Sequence, residues 1–169
     1  MLPLFGIVAA SYWKVVPGVS LGQVRLGVGP KQALAALGKP TTEDAAMGVY
    51  WSTWIGKSGA RVDVLVRRLH TGDADERTVV RLVRATSPIF VLPKGLHSGS
   101  SVSDLRRAYP GAKTSAGYDA TTGRVRIWDD VRRGLAWEAM ANGRVGALIV
   151  HPKGTPVDDT LIPYLTGRV

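Results

Sequence analysis

The stretch VSLGQVRLGVGPKQALAALGKP, residues 19–40, decides the fold, because a looser version of it returns later in the chain. The second version is GLHSGSSVSDLRRAYPGA, residues 95–112. Each copy has an apolar lead-in, a glycine-rich turn, a short amphipathic helix and a stop at glycine and proline. Only strand-like segments follow each copy. The sequence therefore predicts two tandem units of similar construction.

Both predicted helices carry start and stop signals. The first begins at Pro30, because proline suits a first turn in which its missing N–H has no partner. It ends at Gly38, a typical C-cap residue. The second helix is capped by Ser100 or Ser101 and stops at Pro110.

Three strands are predicted after each helix, because apolar and polar residues alternate there with a period of two. Turn-forming residues separate them, and Asn142-Gly143 is the clearest hairpin signal. Further strands are predicted at residues 2–9 and 89–92. Short turns between alternating strands indicate an antiparallel meander. The predicted strands cover residues 48–55, 61–69 and 77–86 in the first unit and 124–128, 134–140 and 144–151 in the second.

These elements predict an α+β fold: two tandem helix-plus-antiparallel-sheet units, with the helices packed on one face of the sheet. The first 18 residues are interpreted as an N-terminal segment, either a signal-peptide remnant or an edge strand. Residues 19–87 form repeat unit 1, residues 88–152 form repeat unit 2, and residues 153–169 form a C-terminal tail.

The composition limits the classes of function. The 169 residues carry a net charge of +9, and arginine supplies most of the positive charge. A basic balance favours anionic partners, and arginine favours bidentate contacts to carboxylate or phosphate. The chain has no cysteine, which excludes thiol catalysis, disulfides and cysteine zinc sites. The apolar start is shorter than a membrane span requires, so no transmembrane segment is predicted.

The glycine-rich turn and helix end resemble a known family. Gly22 to Gly27, GQVRLG, followed by a short helix and then Leu37 to Pro40, LGKP, resembles the signature of SmpA/OmlA-type envelope lipoproteins. The tandem arrangement resembles the β-lactamase inhibitory protein. The resemblance implies the fold and an envelope or secreted location, whereas the absence of cysteine fits a cytoplasmic protein equally well. The resemblance does not extend to β-lactamase inhibition, because none of the inhibitory loop residues can be placed in this sequence. The sequence also departs from the family, since the disulfides and the lipid-anchoring cysteine are absent and Pro30 replaces the usual Ser or Thr.

No motif predicts a catalytic residue, a cofactor or a metal. The three histidines, His70, His97 and His151, share no metal-ligand spacing. The Gly27-Val28-Gly29 turn lacks the third glycine of a dinucleotide-binding loop. The sequence therefore indicates a protein that is not an enzyme.

Aromatic and arginine side chains on the strands suggest a binding site instead. Strand alternation, with the helices covering the other side, predicts that they share an open sheet face. Tryptophan, tyrosine and arginine dominate interface hot spots. Burial of that face by the tail, the lead-in segment or a second copy is the alternative interpretation. The predicted partner-binding residues are Tyr50, Trp54, Arg67, Arg81, Arg126 and Trp128.

The predicted function is a non-catalytic binding module of the cell envelope or exterior that engages a protein partner through this face. The alternative is a basic protein that binds nucleic acid or another polyanion. Salt dependence distinguishes the two, because phosphate-dominated binding weakens steeply as salt rises.

Overall fold

The computed structural model describes residues 13–46, 48–70 and 76–157. The predicted strand at residues 2–9 and the apolar part of the tail lie outside the described residues.

The described chain runs through eleven strands, two α-helices and a single helical turn at Pro93–Gly95. A lead-in of three strands, each two residues long, precedes the first helix, and four strands follow each helix. The elements are β1 Val15–Val16, β2 Ser20–Leu21, β3 Val24–Arg25, α1 Pro30–Leu37, β4 Thr42–Ala46, β5 Val49–Ile55, β6 Arg61–His70, β7 Glu76–Ala85, α2 Val102–Ala108, β8 Lys113–Ala120, β9 Gly123–Asp130, β10 Leu135–Ala139 and β11 Val145–Val150.

The strands after the two helices form one continuous antiparallel sheet in the order β4-β5-β6-β7-β11-β10-β9-β8. The last strand of each half lies at the centre, where β7 pairs with β11 through three residue pairs. The first strand of each half, β4 or β8, lies at an outer edge. Strands β1 to β3 form a small separate sheet.

The predicted α+β class is wrong. Of the described residues, 49% lie in strands and 14% in helices, so this is a sheet-dominated fold and not a pair of helix-plus-sheet units. The helices contain only 8 and 7 residues. Because a helix advances about 1.5 Å per residue, each spans only about 12 Å and covers a small part of the sheet.

The two helices nevertheless begin and end where the sequence predicts. Pro30 opens α1, and the Gly38 N–H donates to the Leu34 carbonyl at the C-cap. Ser101 caps α2, and its hydroxyl accepts a hydrogen bond from the Ser103 N–H (3.1 Å). Neither described helix has the length and apolarity needed to cross a membrane.

The two edge strands were not predicted. Strand β4 reads TEDAA and β8 reads KTSAGYDA, and both are poor in the β-branched and aromatic residues that mark a strand. Edge strands often carry such polar and charged residues, which discourage pairing with other chains. In β4 the Asp44 carboxylate also accepts a hydrogen bond from the Ala45 N–H (2.8 Å).

Apolar side chains fill both faces of the sheet. On one side, called here the helix face, Val64, Val83 and Trp137 pack with Ala33 of α1 and Leu105 of α2. On the other side, called the opposite face, a second cluster is buried without a helix. It contains Trp51, Leu65, Leu82, Val125, Ile127, Ala136, Ile149 and Val157.

Candidate functional site

The six predicted binding residues do not share one open face, so their predicted placement is wrong. Trp54 lies on the helix face, where its indole Nε1–H donates to the Gly38 carbonyl (3.0 Å) at the end of α1. Tyr50 has the same strand parity. Trp128 also packs against the helix-face core, and Arg126 has its parity.

Arg67 and Arg81 lie on the opposite face, where they line a cavity of about 320 Å³ together with His151. The His151 imidazole Nε2 lies 2.9 Å from the Asp129 carboxylate. The other oxygen of Asp129 accepts a hydrogen bond from the Val157 N–H (2.8 Å). This contact fixes the end of the described chain against the sheet.

The placement was wrong because both sides of β5 are aromatic or apolar. Alternation separates Tyr50 and Trp54 from Trp51 correctly, but it does not reveal which set a helix covers. Trp51 belongs to the buried cluster of the opposite face and is 4% exposed. A strand that is buried on both faces has no polar side, so its sequence does not show which side faces the solvent.

The first candidate site is a groove beside α2 on the helix face. We call it the Arg–Trp groove, and its volume is about 420 Å³. Strand β9 supplies its charged and aromatic side chains, since every second residue of a strand points to the same face. The groove is lined by Val102, Arg124, Arg126, Trp128, Ala139, Met140, Ala141 and Gly143.

The Arg–Trp groove has an excess of positive charge. The Arg106 guanidinium of α2 lies over the Trp128 ring, with Cζ 4.3 Å from the ring centroid. Arg124 pairs with the exposed Asp119 at 3.1 Å. Within the described ranges, neither Arg106 nor Arg126 forms a salt bridge. Two exposed cations beside one aromatic ring can therefore take an anionic group.

The second candidate site lies beside α1 on the same face and is mostly apolar. We call it the Tyr–Trp pocket, and its volume is about 310 Å³. Helix α1 packs against β3 and β7, and the pocket lies between α1 and strands β5 and β6. The pocket is lined by Pro30, Ala33, Leu34, Glu43, Tyr50, Ser52, Trp54, Val64, Val66 and Thr78.

A buried ionic network occupies the middle of the opposite face. The Arg84 guanidinium donates to both oxygens of Glu138, at 2.6 and 2.8 Å, and to Asp63 at 2.9 Å. Asp63 also accepts from Thr53 (2.7 Å) and from Arg61 (2.6 Å). Because these residues come from both halves of the chain, the network joins the halves across the β7–β11 seam.

The network changes the ionisation of Arg84 and of Tyr118, whose phenol interacts with Glu138. Burial by itself lowers the pKa of the Arg84 guanidinium, but the Glu138 and Asp63 carboxylates raise it above its ordinary value. Burial raises the pKa of the Tyr118 phenol, and the Glu138 carboxylate raises it further. Arg84 therefore remains charged and Tyr118 remains neutral near neutral pH.

Two features of these sites were missed from the sequence. Asp63, Arg84 and Glu138 each interrupt an apolar strand, and a charge at such a position is a usable signal of a buried pair. The stacking of Arg106 on Trp128 joins a helix to a strand about 20 residues later, and no local pattern specifies that contact.

In the part of the chain that the structure describes, no group of three or more His, Asp or Glu side chains is placed so that it could hold a metal ion. Comparison of the chain with protein-family models, with curated proteins and with solved structures gave no match.

Proposed function

We propose that this chain is a non-catalytic binding protein that engages an acidic surface of a protein partner through the Arg–Trp groove. The location at the cell envelope or exterior is part of this proposal and rests on the SmpA/OmlA-type resemblance alone. Arg126 and Trp128 belong to the predicted binding residues, and Arg106 adds to them.

One observation carries the proposal: Arg106 lies over Trp128 beside Arg126, and both arginines are exposed. An arginine over an aromatic ring is held in place while its N–H groups stay available to a carboxylate. Tryptophan and arginine are also the residue types that contribute most to protein interfaces. The apolar floor from Val102 and Met140 suits a partner side chain placed between the charges.

A photo-crosslinking residue in place of Ala141 tests the proposal, because Ala141 is exposed and lines the groove. Irradiation in the native host should join the chain to one protein. Arg126→Glu should weaken binding of that protein roughly thirtyfold, the equivalent of about 2 kcal/mol for a hot-spot residue. Arg25→Glu is the matched control, because Arg25 is exposed on β3 and this substitution changes the net charge by the same amount as Arg126→Glu.

The net charge of +9 favours a second candidate, a nucleic acid or another polyanion. Binding of a single-stranded oligonucleotide should then weaken steeply with salt. Arg25→Glu and Arg126→Glu should also reduce it equally. Recovery of crosslinked nucleic acid in place of protein would support this candidate over the first.

A further inference from the structure

The Tyr–Trp pocket has the opposite charge to the Arg–Trp groove, although both lie on the helix face. Among its described lining residues Glu43 is the one charged group, and the remainder are apolar, aromatic or hydroxyl-bearing. The Glu43 carboxylate accepts a hydrogen bond from the Ser52 hydroxyl (3.3 Å). No cation of the described chain lies in a salt bridge with it. The pocket therefore combines an available carboxylate with an apolar interior.

The walls of the pocket are partly fixed in place. The indole of Trp54 is held by its hydrogen bond to the Gly38 carbonyl. Val64 and Val66 form the floor and are almost fully buried. At the mouth, Leu34 is 39% exposed and Tyr50 is 41% exposed. Both side chains line the pocket, so its mouth is apolar and aromatic.

We propose that the Tyr–Trp pocket binds a small organic cation with an apolar body, such as an alkyl amine or a quaternary ammonium compound. The apolar body lies on Val64 and Val66, and the cationic head lies between Glu43 and the ring of Tyr50. A carboxylate and an aromatic ring both attract a cation. The volume of about 310 Å³ lies at the lower end of the range of small-ligand pockets.

Three probes of equal chain length test the charge preference: octyltrimethylammonium, octanol and octanoate. Heteronuclear NMR of the full chain follows the indole N–H signal of Trp54, which Trp54→Phe assigns. The ammonium probe should shift this signal and bind about fivefold to tenfold more tightly than octanol, as one carboxylate and one ring contribute. Octanoate should bind more weakly than octanol.

Glu43→Gln keeps the shape of the side chain and removes its charge. This variant should lose most of the preference for octyltrimethylammonium over octanol, and the Tyr50 ring should supply the small part that remains. Asp119→Asn is the matched control, since Asp119 is exposed on the other half of the chain and its removal should leave the preference unchanged. The proposal is overturned if the ammonium probe leaves the Trp54 signal unmoved, if octanoate binds as tightly as the ammonium, or if Glu43→Gln keeps the full wild-type preference. None of these results bears on the Arg–Trp groove.

Discussion

Arg84 lies between two carboxylates, Asp63 and Glu138, that come from different halves of the chain. Each of the three side chains is at least nine-tenths buried. Desolvating these charges is costly, and the cost is offset only while every partner is present. A single substitution at Arg84 therefore leaves Glu138 as a buried charge without its bidentate donor.

We expect Arg84→Met to lower the free energy of unfolding by about 3–5 kcal/mol, because it leaves that carboxylate unpaired. Arg124→Met, which removes an arginine from the exposed pair with Asp119, should cost less than about 1 kcal/mol. Urea titration of both variants measures the difference. Equal losses would show that the buried network contributes no more than a surface pair.

The ionisation of Tyr118 makes the free energy of unfolding decrease at alkaline pH. Its folded-state pKa is raised by burial and by Glu138, so the unfolded chain releases the phenol proton first. Its contribution is fully present below the unfolded pKa of about 10, and it is lost as pH rises toward the folded pKa. The free energy of unfolding should fall by up to about 1.4 kcal/mol per pH unit in that window.

Tyr118→Phe should flatten this decline, since phenylalanine has no proton to lose. Urea unfolding at about pH 8 and about pH 11 measures the slope, and the absorbance of tyrosinate follows the ionisation directly. If Tyr118→Phe declines with pH as steeply as the wild type, Tyr118 is not the source of the decline. Tyr109, whose pKa burial also raises, keeps part of the slope in both proteins.

At the scale of elements, the local signals of the sequence were sufficient where the local chain decides the structure. Pro30, Gly38 and Ser101 mark the helix ends because they act on backbone groups within one turn. The alternation of apolar and polar residues located β5, β6 and β7, which are rich in β-branched and aromatic residues. It failed for β4 and β8, because an edge strand takes its structure from its neighbour and needs no apolar face.

The candidate sites required information that the sequence pattern does not contain. Trp54 and Trp128 were singled out by residue type, yet the faces they occupy depend on where two short helices pack. Arg67 lies on the other side of the sheet because the register pairs Tyr50 with Val66, and Arg81 lies beside it in the same cavity. Residue type therefore identified members of both sites, and only the packing of elements grouped them.

Two turn glycines with similar positive φ differ in the space around them. Gly134 precedes β10 with φ of 70°, and Gly143 precedes β11 with φ of 77°. A Cβ on Gly134 would overlap the His151 carbonyl oxygen and lie 2.7 Å from Gly18 Cα, whereas one on Gly143 would meet nothing within 4 Å. The docking of β1 and β2 onto the second half therefore depends on glycine at position 134.

Gly143→Ala should cost about 1–2 kcal/mol, the strain of a left-handed backbone alone. Gly134→Ala should cost roughly 3 kcal/mol or more, because two backbone segments must also move. Urea titration compares the two variants. Equal losses in the free energy of unfolding would show that the backbone around Gly134 can accommodate a Cβ without further destabilisation.

At the scale of the whole molecule, the strand order places the least exposed hydrogen bonds at the centre. Strands β7 and β11 have neighbours on both sides, whereas β4 and β8 each pair on one side only within the described chain. The ionic network also crosses the central seam. The two halves are therefore expected to unfold together.

Native-state hydrogen exchange tests this expectation. Amides of Val83–Ala85 and of Leu148–Val150 should exchange only through global unfolding, with a free energy equal to that from urea titration. Amides of β4 and β8 should exchange through local opening at lower free energy. A central amide of one half that exchanges well before its partner in the other would show that the halves unfold separately.

The lead-in segment has a consequence for synthesis on the ribosome. Val15 N–H donates to the Val91 carbonyl (2.8 Å), and Gly18 N–H donates to the Gly134 carbonyl (3.0 Å). Both acceptors emerge long after the donors, because translation adds about 5–20 residues per second and starts at the N-terminus. For several seconds the nascent chain therefore carries a lead-in without its partners, and this part of the fold closes only after Gly134 has been made.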